Sequence, residues 1–282
     1  MEANIYRMRY DVELVADLGA ELLEGPVFDK ATHLLYFVSI LNYRVYRFSP
    51  LTGEMRHIQL ISPTSCVYIS AEFGIVTAST QGFYNLNFES LTAEKIFEIE
   101  IPSNTRFNDG TLDAKGRFLI GTMGYPEIID NLGSVLSYSN GDVKVLISNT
   151  TISNGIVFSK DSKNMFFIDT PARTIAKYTY DLESGSCEYI KDIVHFRGAG
   201  VPDGMDIDEY GNLWVAEWGG YCVSIWNYRT GNCMGKIEIP LQNVTSVCFD
   251  NYKNLYVTTA RSNANGEEKG GAVFYVKLRR DA

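Results

Sequence analysis

The sequence predicts an all-β chain, a six-bladed β-propeller with four-stranded blades around a central channel. Three observations carry that prediction. A turn followed by a short apolar, β-branched strand recurs six times with a pitch in the forties. Between the copies lie alternating runs that end in glycine-bearing turns, the mark of stacked hairpins. No run of a dozen residues shows the 3.6-residue period of an amphipathic helix.

The recurring strands start at Leu34, Ile75, Phe118, Met165, Leu213 and Leu255, at intervals of 41, 43, 47, 48 and 42 residues. The hairpins between them are clearest at three places. Tyr43 to Phe48 runs into a turn closed by Gly53, Ile175 to Tyr180 into one closed by Gly185, and Val223 to Asn227 into one closed by Gly231. Glycine supplies the positive φ that such turns require. Tyr6 to Val15 is expected to add a strand to the last blade beside Ala272 to Leu278, and Gly266 to Gly271 reads as the hairpin leading into it. Closing the ring leaves few exposed sheet edges. A β-sandwich also has regularly spaced strands, but six similar units at nearly constant pitch favour the propeller. No shift in composition marks a linker, so residues 1–282 read as one domain.

Composition agrees. Hydrophobic residues make up 45% and charged residues 21%, enough to bury a large core. The 18 Tyr and 15 Phe suit pleated, half-buried surfaces. A formal net charge of -9 repels a phosphate backbone, so nucleic acid is not an expected partner. The one basic cluster, Lys277, Arg279 and Arg280, reads as a solvated tail. The cysteines are Cys66, Cys187, Cys222, Cys233 and Cys248, odd in number and without a C-x-x-C pair. That argues against a disulfide framework or thiolate metal site and fits a reducing compartment. The first ten residues lack the apolar stretch of a signal peptide, and the apolar run from Leu34 is too short to span a bilayer. The expectation is a soluble cytoplasmic protein with no membrane partner.

About ten residues before each recurring strand stands an oxygen-bearing side chain: Glu24, Ser65, Asn108, Asn154, Asp203 and Thr245. Equivalent positions of a ring lie on one circle, so these six side chains are expected to converge on the axis. Glu24, Asn154 and Asp203 offer two carboxylates and an amide oxygen, a donor set suited to Ca²⁺, Mg²⁺ or Mn²⁺. Gly follows each of the three directly. Asn-Gly and Asp-Gly also form turns, but Glu is a poor turn residue, and three such pairs at one phase point to a site. Other motifs are thin. His33, His57 and His195 lack metal-ligand spacing, no G-x-S-x-G elbow occurs, and the turns opened by Asp208 and Asp250 lack the Glu that closes an EF-hand loop.

Taken in order, several segments resemble one family over nearly the whole chain. They are Leu23-Glu-Gly-Pro-Val-Phe28, Arg106-Phe-Asn-Asp-Gly110 with Asp113, Gly121-Thr-Met123, Ile152-Ser-Asn-Gly155, Val201-Pro-Asp-Gly-Met205 and Gly211-Asn-Leu-Trp-Val-Ala216. The chain is similar to the regucalcin, or senescence marker protein, family, which includes gluconolactonases and luciferin-regenerating proteins. The resemblance implies a six-bladed propeller and the hydrolysis of sugar lactones to open acids. It implies one divalent cation, calcium first with zinc, manganese or magnesium as alternatives, on Glu24, Asn154 and Asp203. It implies substrate binding by Arg106 and Asn108, with Asp109 close by. Asp203, ionised beside a cation, is the expected general base. Two departures stand out. Ser39 occupies a position where the family often has Asp, and Glu127 or Asp130 is the candidate for an acidic residue in the loop after Met123. The rival functions are hydrolysis of aryl esters, xenobiotic lactones or phosphotriesters, and non-enzymatic calcium binding on a scaffold.

Overall fold

The fold is taken from a computed structural model, which describes residues 9–80, 82–262 and 270–279. Its strands, β1 to β24 in chain order, form six antiparallel four-stranded sheets arranged as blades. Blade 1 holds β2 (Leu23–Asp29), β3 (Leu34–Ser39), β4 (Arg44–Phe48) and β5 (Met55–Gln59). Blade 2 holds β6 (Thr64–Ser70), β7 (Gly74–Ser79), β8 (Gly82–Asn87) and β9 (Thr92–Glu98). Blade 3 holds β10 (Thr105–Leu112), β11 (Phe118–Gly124), β12 (Gly133–Ser139) and β13 (Asp142–Thr150). Blade 4 holds β14 (Ser153–Phe158), β15 (Asn164–Asp169), β16 (Thr174–Asp181) and β17 (Ser186–His195). Blade 5 holds β18 (Val201–Ile207), β19 (Asn212–Trp218), β20 (Cys222–Asn227) and β21 (Cys233–Glu238).

Blade 6 joins β22 (Val244–Phe249), β23 (Leu255–Thr259) and β24 (Gly271–Arg279) to β1 (Arg9–Ala20). The expected closing strand is therefore present and longer than expected. Tyr10 pairs with Leu278, and the ladder continues past Val15 to Ala20 opposite Gly271. Tyr6 to Met8, Arg280 and most of the expected Gly266 to Gly271 hairpin lie outside the described residues. Among the described residues the only helix is a 3-10 turn at Thr170–Ala172, and no helix is long and apolar enough to cross a membrane.

The core lies between blades. Six clusters of buried side chains fill the six blade–blade interfaces. The second strand of each blade explains the apolar runs that carried the repeat. In β15, Met165 and Phe167 face blade 3 while Phe166 and Ile168 face blade 5. Both faces of this strand are covered, so polar alternation is lost. Full burial of each such side chain contributes about 1.5–3 kcal/mol. The outermost strands are the most exposed, and in β13 the residues from Asp142 to Val145 all face water, the two valines included.

The turns between first and second strands, counted to the first residue of the second strand, share one feature. Each of the six contains a residue with positive φ: His33, Gly74, Gly116, Ser162, Gly211 and Lys253. In three of them an Asp side chain accepts the backbone N–H bonds of the residues two and four ahead of it. Asp113 Oδ1 takes those of Lys115 and Arg117, Asp208 Oδ1 those of Tyr210 and Asn212, and Asp250 Oδ1 those of Tyr252 and Asn254. Asp208 and Asp250 thus serve as turn caps.

Candidate functional site

The first strand of every blade lies innermost, beside the first strands of its two neighbours. Each of these six strands breaks register at the same phase. The shifts fall between Glu24 and Val27, Thr64 and Cys66, Phe107 and Gly110, Asn154 and Ile156, Pro202 and Met205, and Val244 and Ser246. A β-bulge of this kind inserts an extra residue and re-aims its side chain. The six polar residues singled out by phase all stand at these bulges, and all are buried.

The glycines after the three candidate ligands have distinct reasons. Gly25 has φ +50, in the left-handed region that favours glycine. Gly155 and Gly204 do not, and they sit inside strands rather than turns. A Cβ on Gly155 would meet the Asp203 carbonyl at 2.9 Å, and one on Gly204 would run into Ser246 Oγ. Glycine is required there because the neighbouring inner strand approaches too closely for any side chain.

A hydrogen-bond chain links the candidate residues. Arg106 Nη1 donates to Asn108 Oδ1 at 2.7 Å and to the Phe107 carbonyl at 2.8 Å. Asn108 Nδ2 donates to Asn154 Oδ1 at 2.8 Å and to the Ser153 carbonyl at 3.0 Å. Asn154 Nδ2 donates to Thr170 Oγ1 at 2.8 Å, and Thr170 Oγ1 donates to the Pro202 carbonyl at 2.9 Å, next to Asp203. Asn108 therefore bridges the arginine to the asparagine ligand. Ser65 and Thr245 turn away from ligand duty. Ser65 Oγ donates to the Phe107 carbonyl at 2.5 Å and Thr245 Oγ1 to the Leu23 carbonyl at 2.6 Å, each tying its blade to a neighbour.

The electrostatics are those of crowded, buried acids. Burial and then the Asp109 charge push the Glu24 carboxyl up to about 8, against the opposing Gly25 N–H and Arg106. Asp203 is raised far above the ordinary carboxylate range by burial, then by Glu24 and Asp109. Burial raises Asp109 to about 6, although its Oδ1 accepts the Gly110 N–H at 2.7 Å. The Arg106 guanidinium is lowered to about 10 by burial, opposed by Glu24, Tyr125 and Asp203.

Two buried polar atoms here have no partner: the Arg106 Nε donor and the Asp203 Oδ1 acceptor. Such atoms are rare because each costs about 1–3 kcal/mol of desolvation. Among the described residues no three His, Cys, Asp or Glu side chains form a metal-holding cluster. A cation on the candidate set would thus depend on the Asn154 amide as well as on Glu24 and Asp203.

Asp109 lines the channel running through the ring, a cavity of about 230 Å³ shared with Gly25, Cys66, Met205 and Asp206. In the loop after Met123, Glu127 and Asp130 are exposed, while Tyr125 lies with its ring centre 6.0 Å from the Arg106 guanidinium carbon. Ser39 is fully buried, and its Oγ donates to Asn42 Oδ1 at 2.7 Å. Sequence reasoning missed Thr170 and Tyr125. Tyr125 stands two residues after Gly121-Thr-Met123, so proximity to that segment was the available signal, whereas Thr170 follows none of the segments that carry the resemblance.

Residues 22–261 match the model of the SMP-30/Gluconolactonase/LRE-like region. Regucalcin of Macaca fascicularis is 31% identical over 279 residues, covering 94% of this chain and 93% of that protein. Among solved structures, a luciferin-regenerating enzyme superposes with a TM-score of 0.87 at 28% identity, covering 97% of this chain and 98% of that one. A regucalcin from Agrobacterium tumefaciens, described as a calcium-binding protein, superposes with a TM-score of 0.86 at 24% identity over 96% of each chain, a likeness of fold.

Proposed function

Because the chain belongs to the SMP-30/Gluconolactonase/LRE-like family, we propose that it is a lactonase-type hydrolase that opens sugar lactones, aldonolactones first, to the corresponding acids with one divalent cation. The observation that carries this reading is the pair of unpartnered buried atoms, Asp203 Oδ1 and Arg106 Nε. One is an acceptor beside a second carboxylate, and the other is a donor beside it. A site kept for a cation, a water and a substrate oxygen needs both.

Glu24, Asn154 and Asp203 would hold the cation, and their hard oxygen donors suit calcium, magnesium or manganese better than zinc. A bound divalent cation supplies the Lewis acidity that polarises a lactone carbonyl. With a cation bound, which opposes the rise that burial gives its carboxyl, Asp203 would be ionised and would accept the proton of the attacking water through its free Oδ1. Arg106 donates from Nε to a substrate oxygen while its Nη1 bonds to Phe107 and Asn108 hold the guanidinium in place. Both donors of the Asn108 amide are engaged within the protein, so Asn108 positions Arg106 and Asn154 and keeps one Oδ1 lone pair for a ligand. Asp109 faces the channel and acts on the substrate through the charge it places near Glu24 and Asp203.

A panel of sugar and aryl lactones, aryl esters and phosphotriesters, assayed for acid release with and without EDTA, tests the reading. Chelator-sensitive opening of sugar lactones in preference to the other substrates supports it. Preference for aryl esters or phosphotriesters moves the function to a wider esterase. If calcium raises the thermal midpoint but nothing is hydrolysed, the protein is a calcium-binding propeller.

A further inference from the structure

Away from the axis, blade 5 assembles three reactive side chains. Glu217, in β19, lies directly opposite Cys222 of β20, and Lys236 of β21 reaches across to both. Lys236 Nζ stands 2.9 and 3.1 Å from the two Glu217 carboxylate oxygens and 3.7 Å from Cys222 Sγ. Cys222 and Glu217 are buried, whereas the Lys236 side chain is 47% exposed. Two glycines close over the carboxylate. A Cβ on Gly200 would stand 3.0 Å from Glu217 Oε2, and one on Gly220 3.1 Å from it. Cys222 and Lys236 are also among the residues that line a cavity of about 420 Å³ with Tyr221 and Pro240, room enough for a small oxidant.

We propose that Cys222 and Lys236 are a covalent modification site, joined by dioxygen into a reversible Sγ–O–Nζ bridge. The Cys222 thiol loses its hydrogen and the Lys236 amine loses one. One oxygen atom of dioxygen is inserted between sulfur and nitrogen, and the other leaves as water. Sulfur and nitrogen are each oxidised by two electrons, and dioxygen takes up all four. The Lys236 ammonium first loses its proton to solvent, which frees the nitrogen lone pair, and Glu217 holds that nitrogen beside the sulfur. Two dithiols, each oxidised to a disulfide, supply the four reducing equivalents that reverse the step, restoring thiol and amine and releasing water.

Other cysteine chemistry fits this site less well. Burial, then the Glu217 charge, pushes the Cys222 thiol up to about 12, so it is protonated at neutral pH and slow in disulfide exchange. Among the described residues Cys222 is the cysteine whose sulfur hydrogen-bonds a lysine nitrogen, although Cys233 also lies close enough to act on Lys236 through its charge. Cys187 and Cys233 instead meet the backbone carbonyls of Leu146 and Gly235. The bridge would also take Lys236 from Glu217, leaving a buried carboxylate whose backbone pairs with Pro202, the residue before Asp203.

The test is intact-mass spectrometry of the full chain held in air-saturated buffer against the same protein kept anaerobic with dithiothreitol. The expected result is a species heavier by one oxygen and lighter by two hydrogens in the aerated sample only. It should lose Cys222 to alkylation, map to a Cys222–Lys236 cross-linked peptide, and return to the starting mass with dithiothreitol. Cys222→Ser and Lys236→Arg should each abolish it, the latter while keeping the charge pair with Glu217, and Cys233→Ser should retain it. An unchanged mass, a gain of oxygen without loss of hydrogen, or a cross-link mapped to another cysteine would overturn the proposal. If Lys236→Arg retains the species, the amine is not the partner and the proposal fails.

Discussion

Gly155 of blade 4 lies against the carbonyl oxygen of Asp203 in blade 5, so closely that a Cβ built on it would stand 2.9 Å away. The contact joins two candidate ligands through their backbones, because Asn154 precedes the glycine. Gly155→Ala is expected to wedge blades 4 and 5 apart, costing about 1–3 kcal/mol and weakening calcium binding. Gly116→Ala is the control. Its φ is +79 and nothing lies within 4 Å of the added Cβ, so its cost of about 1–2 kcal/mol is conformational and calcium binding should stay unchanged. Urea denaturation beside calcium titration calorimetry separates the two.

Thr170 is a positioning residue. Its hydroxyl accepts from Asn154 Nδ2 and donates to the Pro202 carbonyl, which fixes which end of the amide faces Asn108. Thr170→Val should lower calcium affinity about 10–100-fold, the usual effect of losing a partner behind a ligand. Thr170→Ser should restore most of it. Equal affinity in all three proteins would show that Asn154 is held without the hydroxyl.

Asp203→Asn keeps a carbonyl oxygen for the cation and removes the base. Turnover should fall by about two to four orders of magnitude with metal still bound. Arg106→Ala should change KM, kcat or both while leaving calcium affinity nearly intact. Lactone hydrolysis measured beside calorimetry for each variant distinguishes the roles. Near-normal turnover in metal-loaded Asp203→Asn would move the base elsewhere, with Asp109 the next candidate.

Asp206 gives a pH signature independent of the site's activity. Burial raises its carboxyl to about 6, although it accepts N–H bonds from Ile207 at 2.7 Å and Phe249 at 3.0 Å. A carboxyl whose folded pKa lies above its unfolded one favours the fold while protonated. Its contribution is therefore largest below about pH 4 and is lost as pH rises to about 6. The loss is at most about 3 kcal/mol and smaller to the extent that channel water screens the charge. Asp206→Asn should flatten this part of the stability profile, so the difference from the parent protein grows between pH 4 and 6 and is constant above. Urea midpoints across that range are the measurement, and parallel profiles would contradict the assignment.

Much of this was legible in the sequence because a ring of repeats turns phase into position. The strand starting at Met165 has no polar alternation because both its faces are covered, and that apolarity made the period visible. Asp208 and Asp250 could be read as turn openers because Asx caps act over two to four residues. The bulges could not be read. A register shift is a property of two strands, and nothing at Asn154 alone announces that Gly155 has no partner in β15. Thr170 was hidden for a similar reason, since its two hydrogen bonds reach Asn154 and Pro202, sixteen and thirty-two residues away. Asn108 was legible by position, but its task of bridging Arg106 and Asn154 depends on side-chain directions that only the bulge sets.

The pairing of β1 with β24 has a consequence for how the molecule is made. Arg9 finds its partner at Arg279, so β1 leaves the ribosome long before the strand it pairs with. At about 5–20 residues per second, the wait is roughly a quarter of a minute to a minute. Throughout that interval β1 has no ladder to join, and the inner strands form an open arc. Glu24 then has blade 2 on one side and nothing on the other, far from Asp203. Ion binding should therefore be absent from ribosome-bound chains that stop short of β24 and appear in one step when the last strand emerges.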